Sequence, residues 1–142
     1  MATVFELDPR LAADTLHVGD GPLCRVLLMN DARYPWVIIV PRVAGITELY
    51  QLTPVQRQQL LDESVQLGER LMTHFAGHKL NVAALGNVVA QLHVHHIVRF
   101  RGDDAWPGPV WGRHPRRPYG PDVASERVAA LRRLLEVGDA LD

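Results

Sequence analysis

Two apolar runs, at residues 23–29 and 36–40, flank the hexapeptide Asn30-Asp-Ala-Arg-Tyr-Pro35. Short runs rich in aliphatic and β-branched residues read as strands, and a polar break of this length joins them as an antiparallel hairpin. That pairing commits the chain to a sheet. Thr15-Leu-His-Val18, closed by the turn signal Gly19-Asp-Gly-Pro22, predicts one more strand ahead of the hairpin, after a short helical turn at 11–14.

What packs on the sheet is read from residues 53–77. Thr53 is a candidate N-cap, and Pro54 suits the first helical position, where a missing N–H costs nothing. Leu60, Leu61, Val65, Leu67, Leu71, Met72 and Phe75 follow at helical spacing, with Arg57, Asp62, Glu63, Glu69 and Arg70 between them, so one face meets a core. Gly77 is a stop signal. Residues 80–85 and 88–100 read as strands separated by Gly86-Asn87. Residues 101–121, rich in Gly, Pro, Arg and Trp, read as an irregular loop. Residues 122–137 predict a second helix with Val123, Val128, Leu131, Leu134 and Leu135 inward and Arg127, Arg132 and Arg133 outward. The order strands, helix, strands, loop, helix predicts an α+β fold: a meander-type antiparallel sheet of about five strands with two main helices, and not a doubly wound parallel sheet.

The chain has 142 residues, enough for a single domain (1–142) with a sizeable core and no need of disulfides or a structural metal. Its 15 Lys and Arg nearly balance 16 Asp and Glu, which excludes a general nucleic-acid binder with an excess basic surface. Cys24 stands alone in an apolar run and reads as a small core residue, with no disulfide and no cysteine-based zinc site. The first eight residues lack the basic start and apolar run of a secretory signal. No stretch approaches the ~20 apolar residues that span a bilayer, so a cytoplasmic protein with no membrane partner is expected.

Seven histidines is the unusual count, and three of them lie at 93, 95 and 96. Side chains on a strand alternate faces, so Gln91, His93 and His95 project together while His96 points the other way with Leu92 and Val94. Imidazoles two positions apart lie roughly 6.5–7 Å apart at Cα, close enough to act on one bound group. Spacing alone leaves three readings open. The cluster can be hydrogen-bonded and inert. It can chelate zinc, given further ligands from His17, His74, His78 or His114. Or one imidazole can attack phosphorus while its neighbour assists.

The stretch Gly86-Asn-Val-Val-Ala-Gln-Leu-His-Val-His-His-Ile-Val-Arg99 resembles the signature strand of the histidine triad family of nucleotide hydrolases and transferases. That pattern runs Gly-Gln-x-Val-x-His-x-His-x-His-x-x-Pro-Arg. Anchored at Gly86 and Arg99, the match has no gap and puts Asn87 at the Gln, Gln91 at the first His, His93 at the second and His95 at the third. Leu28-Met-Asn30 with Trp36-Val-Ile-Ile-Val-Pro41 is similar to the family's paired strands, and Leu52-Thr-Pro54 to the start of its helix.

The resemblance implies hydrolysis or transfer at the α-phosphate of a purine nucleotide derivative, either a dinucleoside polyphosphate or a nucleoside phosphoramidate. It implies His93 as the nucleophile that forms a nucleotidyl-histidine, and His95 as a contact to the α-phosphate or leaving-group oxygen. The backbone amides of Gly86, Asn87 and Val88 would cradle the phosphate, the Asn87 side chain would add a contact, and Asn30 would hold the ribose. It also implies a homodimer, and a cycle with no metal or other cofactor. The chain departs from the pattern at Gln91, which cannot titrate and retains only an orienting hydrogen bond. Val98 replaces a Pro, and Pro35-Trp36 replaces Pro-Gly-His. The alternative, motivated by Gln91, is a non-catalytic nucleotide-binding or zinc-binding protein on the same fold.

Trp106 and Trp111 read either as a stacking platform or lid, with Asp103 and Asp104 near its mouth, or as packing onto the sheet or a second subunit. Arg113, Arg116 and Arg117 read as a solvated face or as contacts to a distal phosphate. Trp36 reads as core or as pocket wall.

Overall fold

The computed structural model describes residues 4–137, so the expectation about the N-terminal eight residues falls partly outside the described residues. In chain order the elements are α1 (Pro9–Asp14), β1 (Thr15–Asp20), β2 (Cys24–Met29), β3 (Trp36–Pro41), a 3-10 turn (Leu49–Gln51), α2 (Pro54–Phe75), β4 (Lys79–Ala83), β5 (Val94–Arg99) and α3 (Pro121–Leu135). The five strands form one sheet in the order β1-β2-β3-β5-β4, and every neighbouring pair is antiparallel. This is the expected α+β fold. Strands β1 to β3 form the meander, with the hairpin in register at Leu27 opposite Ile38. The second half departs from it: α2 carries the chain across to the edge strand β4, and β5 returns between β4 and β3. Burial follows the order: all six residues of the central strand β5 are buried, whereas the edge strand β4 has none.

Both faces of the sheet are covered. Val26, Leu28, Val37, Ile39, Val94 and Val98 face α2 and α3 and pack with Leu60, Leu67, Leu71 and Leu131. Leu27, Ile38, Val40 and Ile97 face the opposite way, under Leu11 and the irregular segment that contributes Ala105 and Val110. Double coverage is why β3 and β5 are buried along their whole length rather than at alternate positions.

Helix α2 starts as its sequence predicts. Thr53 Oγ1 accepts from the Gln56 amide, and the Gln56 side chain accepts from the Thr53 amide, a reciprocal capping box ahead of Pro54. It ends as predicted but by a different residue. Ala76, not Gly77, takes the left-handed conformation (φ 52°). Glycine is needed at 77 for space: a Cβ there would lie 2.3 Å from Val98 Cγ1 and 3.0 Å from Met72 Sδ. Leu61 and Val65 are corrected to the exposed side, since the inward stripe is Leu60, Leu67 and Leu71. On α3, Val123 is likewise exposed, and Arg132 turns inward to donate to the Val18 carbonyl at 2.6 Å. Cys24 is fully buried, as expected, and burial pushes its thiol above the ordinary range.

Candidate active site

The strand expected over 88–100 is shorter: β5 begins at Val94, and residues 84–93 form a loop. Apolar composition misleads here because the loop's polar backbone groups are used elsewhere. The Leu92 amide donates to the Ile46 carbonyl, and Gly86 sits at φ 84°, in the left-handed region that favours glycine. His93 is therefore delivered by a loop end and His95 by the strand, yet the two imidazoles converge with ring centroids 4.9 Å apart. His96 points to the other face as expected, fully buried, with its Nε2 2.7 Å from Ser64 Oγ on α2.

His93 and His95 line one cavity of about 460 Å³ with Trp36, Gly86, Asn87 and Val88, a volume suited to a small molecule. The backbone amides of Gly86, Asn87 and Val88 make no hydrogen bond to other described residues. Arg10 steadies this loop by donating to the Val88 carbonyl at 2.8 Å. A second cavity of about 300 Å³, lined by Thr47, Glu48, Tyr50 and Gln91 among others, shares Leu85, Gly86 and His93 with the first.

The hydrogen bonds assign a tautomer to each imidazole. His93 Nδ1 lies 2.7 Å from the Gln91 carbonyl. A carbonyl only accepts, so Nδ1 carries the proton and the neutral ring keeps its lone pair on Nε2. His95 Nδ1 receives the Trp36 indole N–H at 3.0 Å. An indole N–H only donates, so His95 carries its proton on Nε2. Burial, reinforced by the neighbouring His93 and His96, lowers the His95 pKa to about 3, and burial lowers that of His96 to about 4. The neutral form of His93 thus places a lone pair on Nε2 beside the Nε2–H donor of His95.

Gln91 works differently from its place in the motif. Its side chain does not join the two histidines: Oε1 accepts from the Asp8 amide and Nε2 donates to the Glu6 carbonyl, both at 2.8 Å. It ties the N-terminal segment to the histidine loop and acts on His93 through its backbone carbonyl. Asn30 also lies off the cavity, its Oδ1 accepting from the Tyr119 amide at 2.9 Å. The adjacent Asp31, 3% exposed, lines it instead, one position from the residue the motif points to.

The segment after β5 is an ordered wall. Arg99, fully buried, makes a bidentate pair with Asp103 at 2.7 and 3.0 Å and donates to Asn81. Asp103 is thus not at the mouth of the cavity. Burial would raise its pKa, but Arg99 and the amides of Phe100, Ala105 and Trp106 outweigh that and hold it at about 2. Asp104 pairs with Arg33 at 3.3 Å. Beyond them, Trp111, His114 and Arg116 line the cavity, whereas Arg113 and Arg117 do not. His114 stacks on Tyr34 and shares a 3.0 Å hydrogen bond with its hydroxyl. No sequence signal marks His114, because its approach depends on contacts some eighty positions apart. Among the described residues no three His, Cys, Asp or Glu side chains are grouped to hold a metal ion. His74 packs edge-on against Phe75, and His78 accepts from the Arg101 amide.

Paired imidazoles at a glycine-initiated loop, on a five-stranded antiparallel α+β sheet, define the histidine triad class of domain. The HIT domain family model matches residues 10–102, and the chain belongs to that family. Solved structures agree. A histidine triad protein from Marinobacter aquaeolei VT8 is 57% identical, with TM-score 0.92 over 94% of this chain and 98% of that one. One from Bradyrhizobium japonicum is 42% identical, with TM-score 0.90 over 94% and 99%. One from Sinorhizobium meliloti 1021 is 41% identical, with TM-score 0.88 over 94% and 97%. No curated protein matches the chain.

Proposed function

We propose that the protein hydrolyses or transfers a nucleotidyl group at the α-phosphate of a purine nucleotide derivative, with His93 as nucleophile. The observation that carries this reading is the opposed tautomer pair: a lone pair on His93 Nε2 beside an N–H on His95 Nε2. The His93 Nε2 lone pair attacks phosphorus, a P–N bond forms, and the P–O or P–N bond to the leaving group breaks with its electron pair. The leaving group takes its proton from solvent, since His95 is already neutral and Gln91 carries none to give. His95 Nε2–H and the amides of Gly86, Asn87 and Val88 donate to the phosphoryl oxygens as charge builds. Water then attacks phosphorus and releases a proton to solvent, the P–N bond breaks with its electron pair returning to His93 Nε2, and a nucleoside monophosphate leaves. Asp31, in place of Asn30, accepts from the ribose hydroxyls.

The lining also bears on the leaving group. Across both cavities the charged side chains are Asp14, Asp31, Glu48 and Arg116, and Arg116 faces Asp14 at 3.6 Å. A leaving group with several negative charges finds little to neutralise it there, which favours a phosphoramidate over a dinucleoside polyphosphate. The exposed Val55, Leu61 and Val65 on α2 supply an apolar face for the expected homodimer.

The test is turnover of a fluorogenic adenosine phosphoramidate and of diadenosine polyphosphate by the protein and its His93→Ala variant, with and without chelator. Turnover abolished by the substitution and indifferent to chelator supports the reading. Turnover that survives His93→Ala overturns the nucleophile. Loss with chelator alone points to a metal, and nucleotide binding without turnover of either substrate leaves a binding protein.

A further inference from the structure

We propose that Trp111, carried by the segment beyond the matched domain, is a positioning residue that acts through His95. With Trp36 it encloses the His95 ring, keeping it dry and oriented as a fixed donor toward a phosphoryl oxygen. The His95 and Trp111 ring centroids are 5.2 Å apart at 77°, His95 and Trp36 are 5.7 Å apart at 53°, and the two indoles meet each other edge-on at 6.2 Å and 90°. His95 is left 4% exposed. Trp36 fixes the ring by a hydrogen bond, and Trp111 adds a second indole against it.

The placement of Trp111 is built into the same strand that carries His95. Four residues along β5, Arg99 grips Asp103, whose carboxylate also accepts the amides of Phe100, Ala105 and Trp106 and so sets the turn that sends the chain back over the sheet. Val110, beside Trp111, is buried in the core. On the far side, Arg33 donates to the Pro115 carbonyl at 2.6 Å and the Ala32 amide to the Arg117 carbonyl at 2.7 Å. A segment tied on both sides holds its tryptophan without needing a ligand to order it. The titratable neighbour packed on His95 is His93; His96 leaves the adjacent backbone position toward the other face; the other titratable and charged groups on the same cavity are His114, Asp14, Asp31 and Arg116. The low His95 pKa, caused first by burial, is consistent with this enclosure.

The role of Trp111 in turnover rests on the phosphoryl-transfer reading above, so the test has an arm that does not. Ring-nitrogen NMR titration of His95 is compared in the protein, Trp111→Ala and Trp111→Phe, alongside kcat and KM for the phosphoramidate. In the protein His95 stays neutral to about pH 4. In Trp111→Ala it is expected to take a proton at least one pH unit higher, and kcat to fall about tenfold with KM changed less than about twofold. Trp111→Phe restores most of both. If Trp111→Ala does not fold, Trp111→Leu, which is smaller and has no ring to cover His95, is read in the same titration with the same expectation. An unchanged His95 titration and kcat in the substituted protein overturn the proposal. A shifted titration in a protein that turns nothing over leaves the enclosure standing and overturns the His93 chemistry instead.

Discussion

His93 and His95 hold their protons on opposite nitrogens, and each assignment is enforced by a partner that cannot reverse its role. The Gln91 carbonyl can only accept from His93 Nδ1, and the Trp36 indole can only donate to His95 Nδ1. In the proposed reaction the two rings divide the work, with an attacking lone pair on one and a donor for developing negative charge on the other. Gln91, which cannot titrate, meets His93 through its backbone carbonyl.

Trp36→Phe tests that division. The substitution keeps an aromatic ring, though a smaller one, removes the donor to His95 Nδ1, and leaves that buried nitrogen unpaired, at a cost of about 1–3 kcal/mol. The expected outcome is a fall in kcat of at least about tenfold, because the His95 tautomer is no longer specified. Steady-state kinetics and urea unfolding measured on the same preparation read both effects.

Stability is expected to fall on mild acidification. Burial holds the pKa of His95 at about 3 and of His96 at about 4, while both titrate near 6.5 when unfolded. Between those limits the unfolded chain binds protons that the folded chain does not. Their contribution is therefore fully present above pH 6.5 and lost as pH falls below it. Each histidine accounts for up to about 2 kcal/mol between pH 7.5 and 5. Urea midpoints across that range measure it, and a midpoint that holds steady to pH 5 contradicts the burial of these rings as neutral groups.

Asp103→Asn leaves the buried Arg99 guanidinium without its anion. Breaking one partner of such a pair costs about 3–5 kcal/mol, so a large drop in urea midpoint is expected. With Asp103 held at about 2 against an unfolded value of 3.8, the ionic contribution is present above pH 3.8 and is lost as pH falls toward 2. The difference between the protein and Asp103→Asn should therefore narrow below pH 3.8.

Gly77→Ala places a methyl group 2.3 Å from Val98 Cγ1. Overpacking of this kind costs about 1–3 kcal/mol, and thermal unfolding should show it with activity at low temperature little changed.

Local signals were legible in the sequence and long-range ones were not. The start of α2 was readable because an N-cap threonine and an N-terminal proline are written in consecutive residues. The opposite facing of His95 and His96 was readable because strand alternation needs no tertiary knowledge. The start of β5 was hidden: Val88 and Val89 have strand composition, but the backbone there turns at Gly86 and bonds to Ile46. Exposure of Leu61 and Val65 was hidden too, since helical spacing marks an apolar stripe but not its width. The wall after β5 was legible only in part: Trp111 stood out as platform or packing, but its placement depends on Arg99 gripping Asp103 inside the core and on Tyr34 meeting His114 across the chain.

The central claim is a covalent nucleotidyl adduct on His93. It is tested most directly by mixing the protein with an adenosine phosphoramidate, quenching within a turnover at alkaline pH, where a phosphorus–imidazole bond survives, and locating the added mass by peptide mass spectrometry. The account predicts an adenylyl group on the peptide containing His93, at its side chain, and no adduct in His93→Ala. An adduct on another residue, or catalysed turnover with His93→Ala as fast as the parent protein, would contradict it.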